Sequence, residues 1–345
     1  MSSEVTYDEL GFPHKWNEET KNYYFNVIIP NEEKKMVQWA EYFDSIGGFE
    51  KIDVSDSRFK KMVRNGIPSV FRTQVWCKLT KVDEKMNHRN DFYIHASKCR
   101  EAIPSSVIDV IEKDIPRTFT GAIGFKDYQL RNVLYAFALL HPEIGYCQSM
   151  NFLAAVLIAC CGEEPAFWIL CALIEDYLPS DYYVSGMKGF CIDLKLIEIL
   201  INERTPDIAK LSTKLHHEWM MTTSGWLLTL FSNSFPIPTV MRIWDSLFLE
   251  GPKIVYRVSI AFLRIVQDSV IHLNNLSLFS KTLSDIQNQI LDQDKLMEVS
   301  FSIKAFSRNH LIELRDRAKR IVEGNTSESE KAGFALHSLF GQFNL

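Results

Sequence analysis

The sequence predicts an all-α protein, an irregular array of many helices in two lobes. Three observations carry that expectation. Apolar residues recur at the i, i+3, i+4, i+7 spacing that lines one helix face, while alternating runs of the kind a half-buried strand needs are few. Gly (15) and Pro (12) fall below ordinary usage for 345 residues, which disfavours collagen-like, linker-rich and many-turned all-β chains. No internal repeat of roughly 20 to 50 residues is present, so the helices pack irregularly rather than as a regular solenoid. At roughly 150 residues per domain the length fits two domains or one bilobed one, and a hydrophobic fraction of 46% suffices for a real core.

Taken along the chain, residues 1–55 mix charge with scattered aromatics (Trp16, Tyr23, Tyr24, Phe25, Trp39, Tyr42, Phe43) and read as an N-terminal extension that docks on a body. From Tyr128 the stripe Leu130, Val133, Leu134, Phe137 predicts a helix ending near His141-Pro142, because a residue before proline is pushed out of the α region. The apolar stretch Phe152 to Ile174 is cut by Gly162-Glu163-Glu164-Pro165 into two buried helices, each too short to cross a bilayer core of about 30 Å. Val240, Ile243, Trp244, Leu247 and Phe248 follow Pro238 and precede Gly251, the residues favoured in a first helical turn and just past a helix end. Val258, Phe262, Ile265 and Val266 form the next stripe. Residues 304–322 read as a last helix, apolar at Leu311, Leu314, Ala318, Ile321 and Val322, with six basic residues on a solvated face. Residues 56–323 thus form the main domain, and 324–345 a flexible tail whose final ALHSLFGQFNL is a docking segment or nothing.

Composition narrows the function. Acidic residues (43) exceed basic ones (38), a net charge of -5 that offers no field for a phosphate backbone, so nucleic acid is not an expected partner. The seven cysteines are odd in number and lack C-x-x-C spacing, which suits reduced core thiols rather than disulfides or a zinc site. The N-terminus has no basic stretch followed by an apolar one, so a cytoplasmic protein without a transmembrane segment is expected. No G-x-G-x-x-G, G-x-x-x-x-G-K-[ST], H-E-x-x-H or G-x-S-x-G occurs, which argues against a bound nucleotide or metal. His216-His217-Glu218 does not alter this: neighbours on a helix point about 100° apart, and no second His lies at i+4.

Two polar segments remain. In Ile111 to Phe119, Pro116 ends or begins a helix and leaves Arg117 on a constrained boundary where its guanidinium projects; the plainer reading is an Asp114–Arg117 pair at i, i+3, worth a few tenths of a kcal/mol on an exposed helix. In His141 to Asn151, Pro142 and Gly145 signal a loop running into the apolar helix, where Gln148 is well placed to act; the plainer reading has Ser149 or Asn151 capping the helix and Gln148 merely solvated.

Together and in this order, the two segments resemble those of the TBC-domain family of Rab GTPase-activating proteins. The resemblance runs from Gly66 to Asp268. It opens with Arg64-Asn-Gly66-Ile67-Pro68, Arg72 and Val75-Trp76, similar to G-I-P-x-x-x-R-x-x-[VL]-W. Ile111, Asp114 and Arg117 match I-x-x-D-x-x-R, Tyr146 and Gln148 match Y-x-Q, and Arg242-Ile-Trp244-Asp245 with Glu250-Gly251 resembles the closing R-I-W-D…E-G. Two departures are local. Ser149 stands where the family has Gly, and a side chain there takes positive φ only at a cost. The stretch Met220 to Phe231 is a loose match that touches packing more than chemistry.

The resemblance implies a GTPase-activating protein acting on a Rab-type small GTPase. Arg117 would be the finger inserted in trans, worth roughly 10³ to 10⁵ in rate, or roughly 4 to 7 kcal/mol. Gln148 would orient the attacking water in place of the GTPase's own glutamine, since a carboxamide offers a donor and an acceptor on one planar head. Asp114 would preorganise Arg117; Tyr146 braces the loop with its ring or touches the partner with its hydroxyl; Arg72 orients the site from behind or makes a surface contact. Trp76 and Trp244 belong to the core, and Asp245 caps or pairs internally. The chain would carry no cofactor of its own, GTP and Mg²⁺ belonging to the partner, and would meet endomembranes only through partners. The rival reading is a non-catalytic helical scaffold binding a small GTPase or another trafficking partner, a member expected to have lost Arg117 or Gln148.

Overall fold

The computed structural model describes residues 5–89, 91–304 and 306–324. The tail expected over 324–345 lies outside the described residues from 325 onward. The architecture is all-α; the strands among the described residues are one antiparallel pair, Thr6–Tyr7 with Pro13–His14. The chain forms two compact units. The first comprises the residues up to Leu178 with Phe235–Gly251 and Gln289–Gln293; the second comprises Pro179–Ser234, Pro252–Asn288 and the chain from Asp294.

In the first unit the Asp127–Leu140 helix buries the stripe Leu130, Val133, Leu134 and Phe137 and stops before His141-Pro142. The apolar stretch becomes the helices Met150–Cys161 and Glu163–Ala172, which pack on each other and on Asp127–Leu140, with Gly162 between them at φ +78°. No helix among the described residues is long and apolar enough to cross a membrane. Residues 5–55 hold more helix than their scattered aromatics suggest. Pro30 sits in the first turn of Ile29–Ile46, whose Trp39, Tyr42 and Phe43 lie on one buried face, and Trp39 Nε1 donates to the Gly66 carbonyl at 3.0 Å.

The opening and closing strings of the sequence meet inside this unit. The Ile237–Glu250 helix carries Pro238 in its first turn and ends at Gly251, and its Asp245 is fully buried. Asp245 Oδ2 accepts from the Ile67 N–H at 2.9 Å; its Oδ1 accepts from Trp76 Nε1 at 3.0 Å and Arg72 Nε at 3.3 Å. Arg64 pairs with Glu250 at the same seam, and Trp76 and Trp244 lie 6.1 Å apart, both buried. A buried carboxylate is costly unless its lone pairs are met, and here three donors meet them.

In the second unit the helices Lys188–Arg204, Pro206–Lys214, Trp219–Leu228, Lys253–Val270 and Leu276–Gln287 are followed by Arg308–Val322, which packs along Lys188–Arg204. That last helix starts at Arg308 rather than 304, because the Ser307 side chain caps it by accepting from the His310 N–H at 3.2 Å. Its basic residues are not all solvated: Arg315 Nε donates to the buried Asp193 at 2.8 Å. His217 lies ring-edge against Trp219 and Phe279, with Nε2 3.1 Å from Thr222 Oγ1.

Candidate functional site

The Ser105–Asp114 helix ends where Pro116 withholds an N–H, and Ile115–Arg117 follows as a single tight turn. That bend keeps Asp114 inside and turns Arg117 out: their side chains are 1% and 56% exposed. Arg117 Nη2 pairs with Asp114 Oδ1, a buried oxygen with no aligned hydrogen bond of its own. The i, i+3 pair allowed by the sequence therefore exists, but half of it is interior. The few tenths of a kcal/mol appropriate to two solvated charges do not describe it.

The second segment leaves the Asp127–Leu140 helix, turns at Gly145 (φ +60°) and reaches Ser149 at φ +97°, ψ −21°. A serine in the left-handed region carries strain that glycine would not. Neither Ser149 nor Asn151 caps the following helix, contrary to the plainer reading. Asn151 points inward instead, where the first segment supplies one of its two partners. Its Oδ1 accepts from the Ser149 N–H at 3.2 Å, and its Nδ2 donates to Thr118 Oγ1 at 2.8 Å. Thr118 Oγ1 in turn donates to the Asp114 carbonyl at 2.7 Å.

Tyr146 completes the cross-brace. Its hydroxyl donates to Asp114 Oδ2 at 2.5 Å and lies 3.1 Å from Asn151 Oδ1; with one hydrogen to give, it serves the carboxylate. The hydroxyl therefore braces the loop from within. Burial first, then the Asp114 charge, pushes this phenol well above its ordinary pKa, so it stays a donor. Burial likewise lifts the Cys147 thiol to about 12, with Asp114 adding to the shift, which leaves that cysteine inert as a nucleophile.

Gln148 is half-buried, and its carboxamide makes no hydrogen bond among the described residues. Arg117 commits one nitrogen to Asp114 and keeps the rest of its fork free of protein partners among the described residues. A cation and an uncommitted carboxamide thus stand on two segments tied by the Asp114–Tyr146 and Thr118–Asn151 bonds. Such a pair suits charge spread over a transferring group and orientation of a small nucleophile. Arg72 is elsewhere: its side chain is 3% exposed, held by Asp245 and by Glu9 at 3.5 Å, so it makes no surface contact and supports the interior. Sequence reasoning passed over Thr118, though its place at i+4 from Asp114 is a legible signal for a side chain reaching back to a carbonyl.

Residues 69–271 match the Rab-GTPase-TBC domain. The chain is 30% identical over 324 residues to Growth hormone-regulated TBC protein 1 of Homo sapiens, an alignment covering 90% of this chain and 93% of that protein. It is also 30% identical over 335 residues to Small G protein signaling modulator 3 of Homo sapiens, covering 91% of this chain but 44% of that protein. The chain thus spans less than half the length of those modulators. Among solved structures, the Chlamydomonas flagellar RabGAP TBC domain superposes with a TM-score of 0.76 at 28% identity, over 86% of this chain and 100% of that one. With the domain match extending over more than half of its length, the chain belongs to the Rab-GTPase-TBC domain family.

Proposed function

We propose that the chain accelerates GTP hydrolysis on a Rab-type small GTPase, with Arg117 and Gln148 supplied in trans. The observation that carries this reading is the pairing of a half-exposed guanidinium with an unbonded carboxamide on two mutually braced segments. Hydrolysis in a GTPase is slow because charge spreading over the phosphoryl oxygens is incompletely stabilised and the attacking water poorly held. Arg117 would meet that charge with the free part of its fork. Gln148 would accept from the water and donate to a phosphoryl oxygen. Asp114, held by Tyr146, would limit how far the guanidinium can wander, which makes it a preorganising group rather than a proton carrier. GTP and Mg²⁺ come with the partner, and recruitment from cytoplasm to endomembranes would follow from binding it.

The test is phosphate release from a panel of GTP-loaded Rabs. The expected result is strong acceleration of at least one, abolished by Arg117→Ala without loss of folding and nearly abolished by Arg117→Lys, whose ammonium lacks the planar fork. Gln148→Ala should lower the rate far more than the affinity, and a Rab lacking its own switch glutamine should still respond. Rab loaded with GDP and a planar metal fluoride should bind more tightly than Rab with GDP alone. Acceleration of no Rab, with equal affinity for both loaded states, would establish the scaffold reading instead.

A further inference from the structure

The chain leaves Arg117 through a strained turn, and part of what holds that turn lies well before residue 69, where the family match begins. Phe119 has φ +43°, a conformation that a Cβ resists, so its neighbours must impose it. Its ring stands edge-on between two others. Phe152, in the helix that follows Gln148, lies 5.2 Å away at 86°, and Phe12 lies 4.8 Å away at 77°. Edge-to-face contacts at this range fix ring orientation as well as burial.

Phe12 is almost fully buried and sits in the N-terminal hairpin. Asp8 closes that hairpin: its Oδ1 accepts from the Leu10 and Phe12 N–H groups, each at 3.0 Å, and its Oδ2 lies 2.7 Å from His14 Nε2. The hairpin is also bonded to the segment after Arg117. The Ile123 N–H donates to the Gly11 carbonyl at 2.9 Å, and the Tyr7 hydroxyl donates to the Gly121 carbonyl at 3.3 Å. The two backbones approach so closely that a Cβ on Gly124 would fall 1.8 Å from the Leu10 oxygen, and one on Gly11 would fall 2.7 Å from the Gly124 nitrogen. Behind the hairpin, Glu9 reaches Arg72, which Asp245 holds in the interior.

We propose that the hairpin of residues 6–14 is a positioning element for Arg117. Phe12, acting through Phe119, and Gly11, acting through Ile123, hold the 118–124 segment so that the guanidinium is presented in one place rather than sampled over many. The proposal rests on the functional reading above and adds to it that the finger's placement depends on chain lying ahead of the family's matched region. It predicts a loss confined to the transition state, because the hairpin supports the segment without touching the transferring group.

The experiment uses the full chain with Phe12→Ala and, separately, Gly124→Ala, which wedges the backbones apart. Two readouts are taken: single-turnover hydrolysis across a concentration series with a responsive Rab, and amide hydrogen exchange of residues 118–124 in the free protein. Positioning predicts that kcat falls about tenfold or more while KM stays within about twofold, since displacing a reacting group by an ångström is enough for such a loss. Exchange at 118–124 should accelerate in both variants. Phe12→Leu, which refills most of the space without an edge-on ring, should lose only about threefold and carries the same test if Phe12→Ala does not fold. Folded variants with unchanged kcat and unchanged exchange, or with KM alone raised, would overturn the proposal. If the unmodified chain accelerates no GTPase, the functional reading fails by itself, and the exchange measurement still decides whether the hairpin holds the segment.

Discussion

Tyr146→Phe removes a single oxygen from the centre of the cross-brace. The ring stays in place, but Asp114 Oδ2 loses the donor that stood 2.5 Å away, in a site whose carboxylate is 1% exposed. A hydrogen bond to a charged group contributes about 1.5–3 kcal/mol, and an orphaned buried acceptor costs a similar amount, so about 2 kcal/mol of stability should be lost. At about 2–4 °C per kcal/mol for a large domain, the melting midpoint should fall by about 4–8 °C. Catalysis should suffer separately. With one donor gone, the carboxylate draws harder on the Arg117 guanidinium, so kcat for Rab-stimulated hydrolysis should drop about three- to tenfold at nearly constant KM. Because burial and Asp114 hold the phenol protonated well above its ordinary range, both effects should be independent of pH near neutrality. Scanning calorimetry and single-turnover kinetics on the same samples decide the matter. A midpoint within about 1 °C of the parent with unchanged kcat would refute the reasoning, since Asp114 would then be held from elsewhere.

Ser149→Gly should raise the unfolding midpoint slightly: relief of the left-handed conformation gains about 1–2 kcal/mol, and the greater freedom of glycine in the unfolded chain takes back about 0.5–1 kcal/mol. A lowered midpoint would mean the serine conformation is not strained. Asp245→Asn keeps the shape but leaves the buried Arg72 with Glu9, at 3.5 Å, as its remaining paired carboxylate, so urea denaturation should show a loss of about 3 kcal/mol, part of it recovered in the double variant with Arg72→Met. Full recovery in the double variant would show that the charge of Asp245 serves Arg72 alone and not the Ile67 and Trp76 donors. Glu175 is held at about 2, first by the His141 imidazole 3.1 Å away and then, against opposing burial, by Lys85. Its folded pKa lies below the unfolded value of 4.5, so its stabilisation is complete above that pH and disappears as the pH falls through about 2. Melts of Glu175→Gln and the parent should therefore differ at neutral pH and converge in strong acid; parallel curves across the range would remove Glu175 from the account.

The parts of the fold legible in the sequence are those where one helix face is uniformly apolar. The stripes at Leu130–Phe137 and Val240–Phe248 fell on helices whose ends Pro142 and Gly251 mark, because period and punctuation are local properties. The positive φ needed at residue 149 was legible too, from a serine standing where the resembling family has glycine. Arg72 was not, since an arginine reads as surface until a buried carboxylate far along the chain is known to face it. For the same reason the inward turn of Asn151 was not legible: Thr118, which receives its amide, stands on a separate segment 33 residues away. The contact between Phe12 and Phe119 spans more than a hundred residues and leaves no pattern within either neighbourhood.

The junction at Asp245 bears on how the chain is made. Trp76, Arg72 and Ile67 all wait for a carboxylate carried by a helix that emerges only after the whole of Pro179–Ser234, which belongs to the other unit. At about 5–20 residues per second, a ribosome needs roughly ten to thirty seconds to get from one tryptophan's codon to that aspartate's. Throughout that interval the nascent chain holds an indole N–H without its acceptor and an arginine that has Glu9 but not its second carboxylate. An apolar face is meanwhile left open to whatever holdase stands at the exit tunnel.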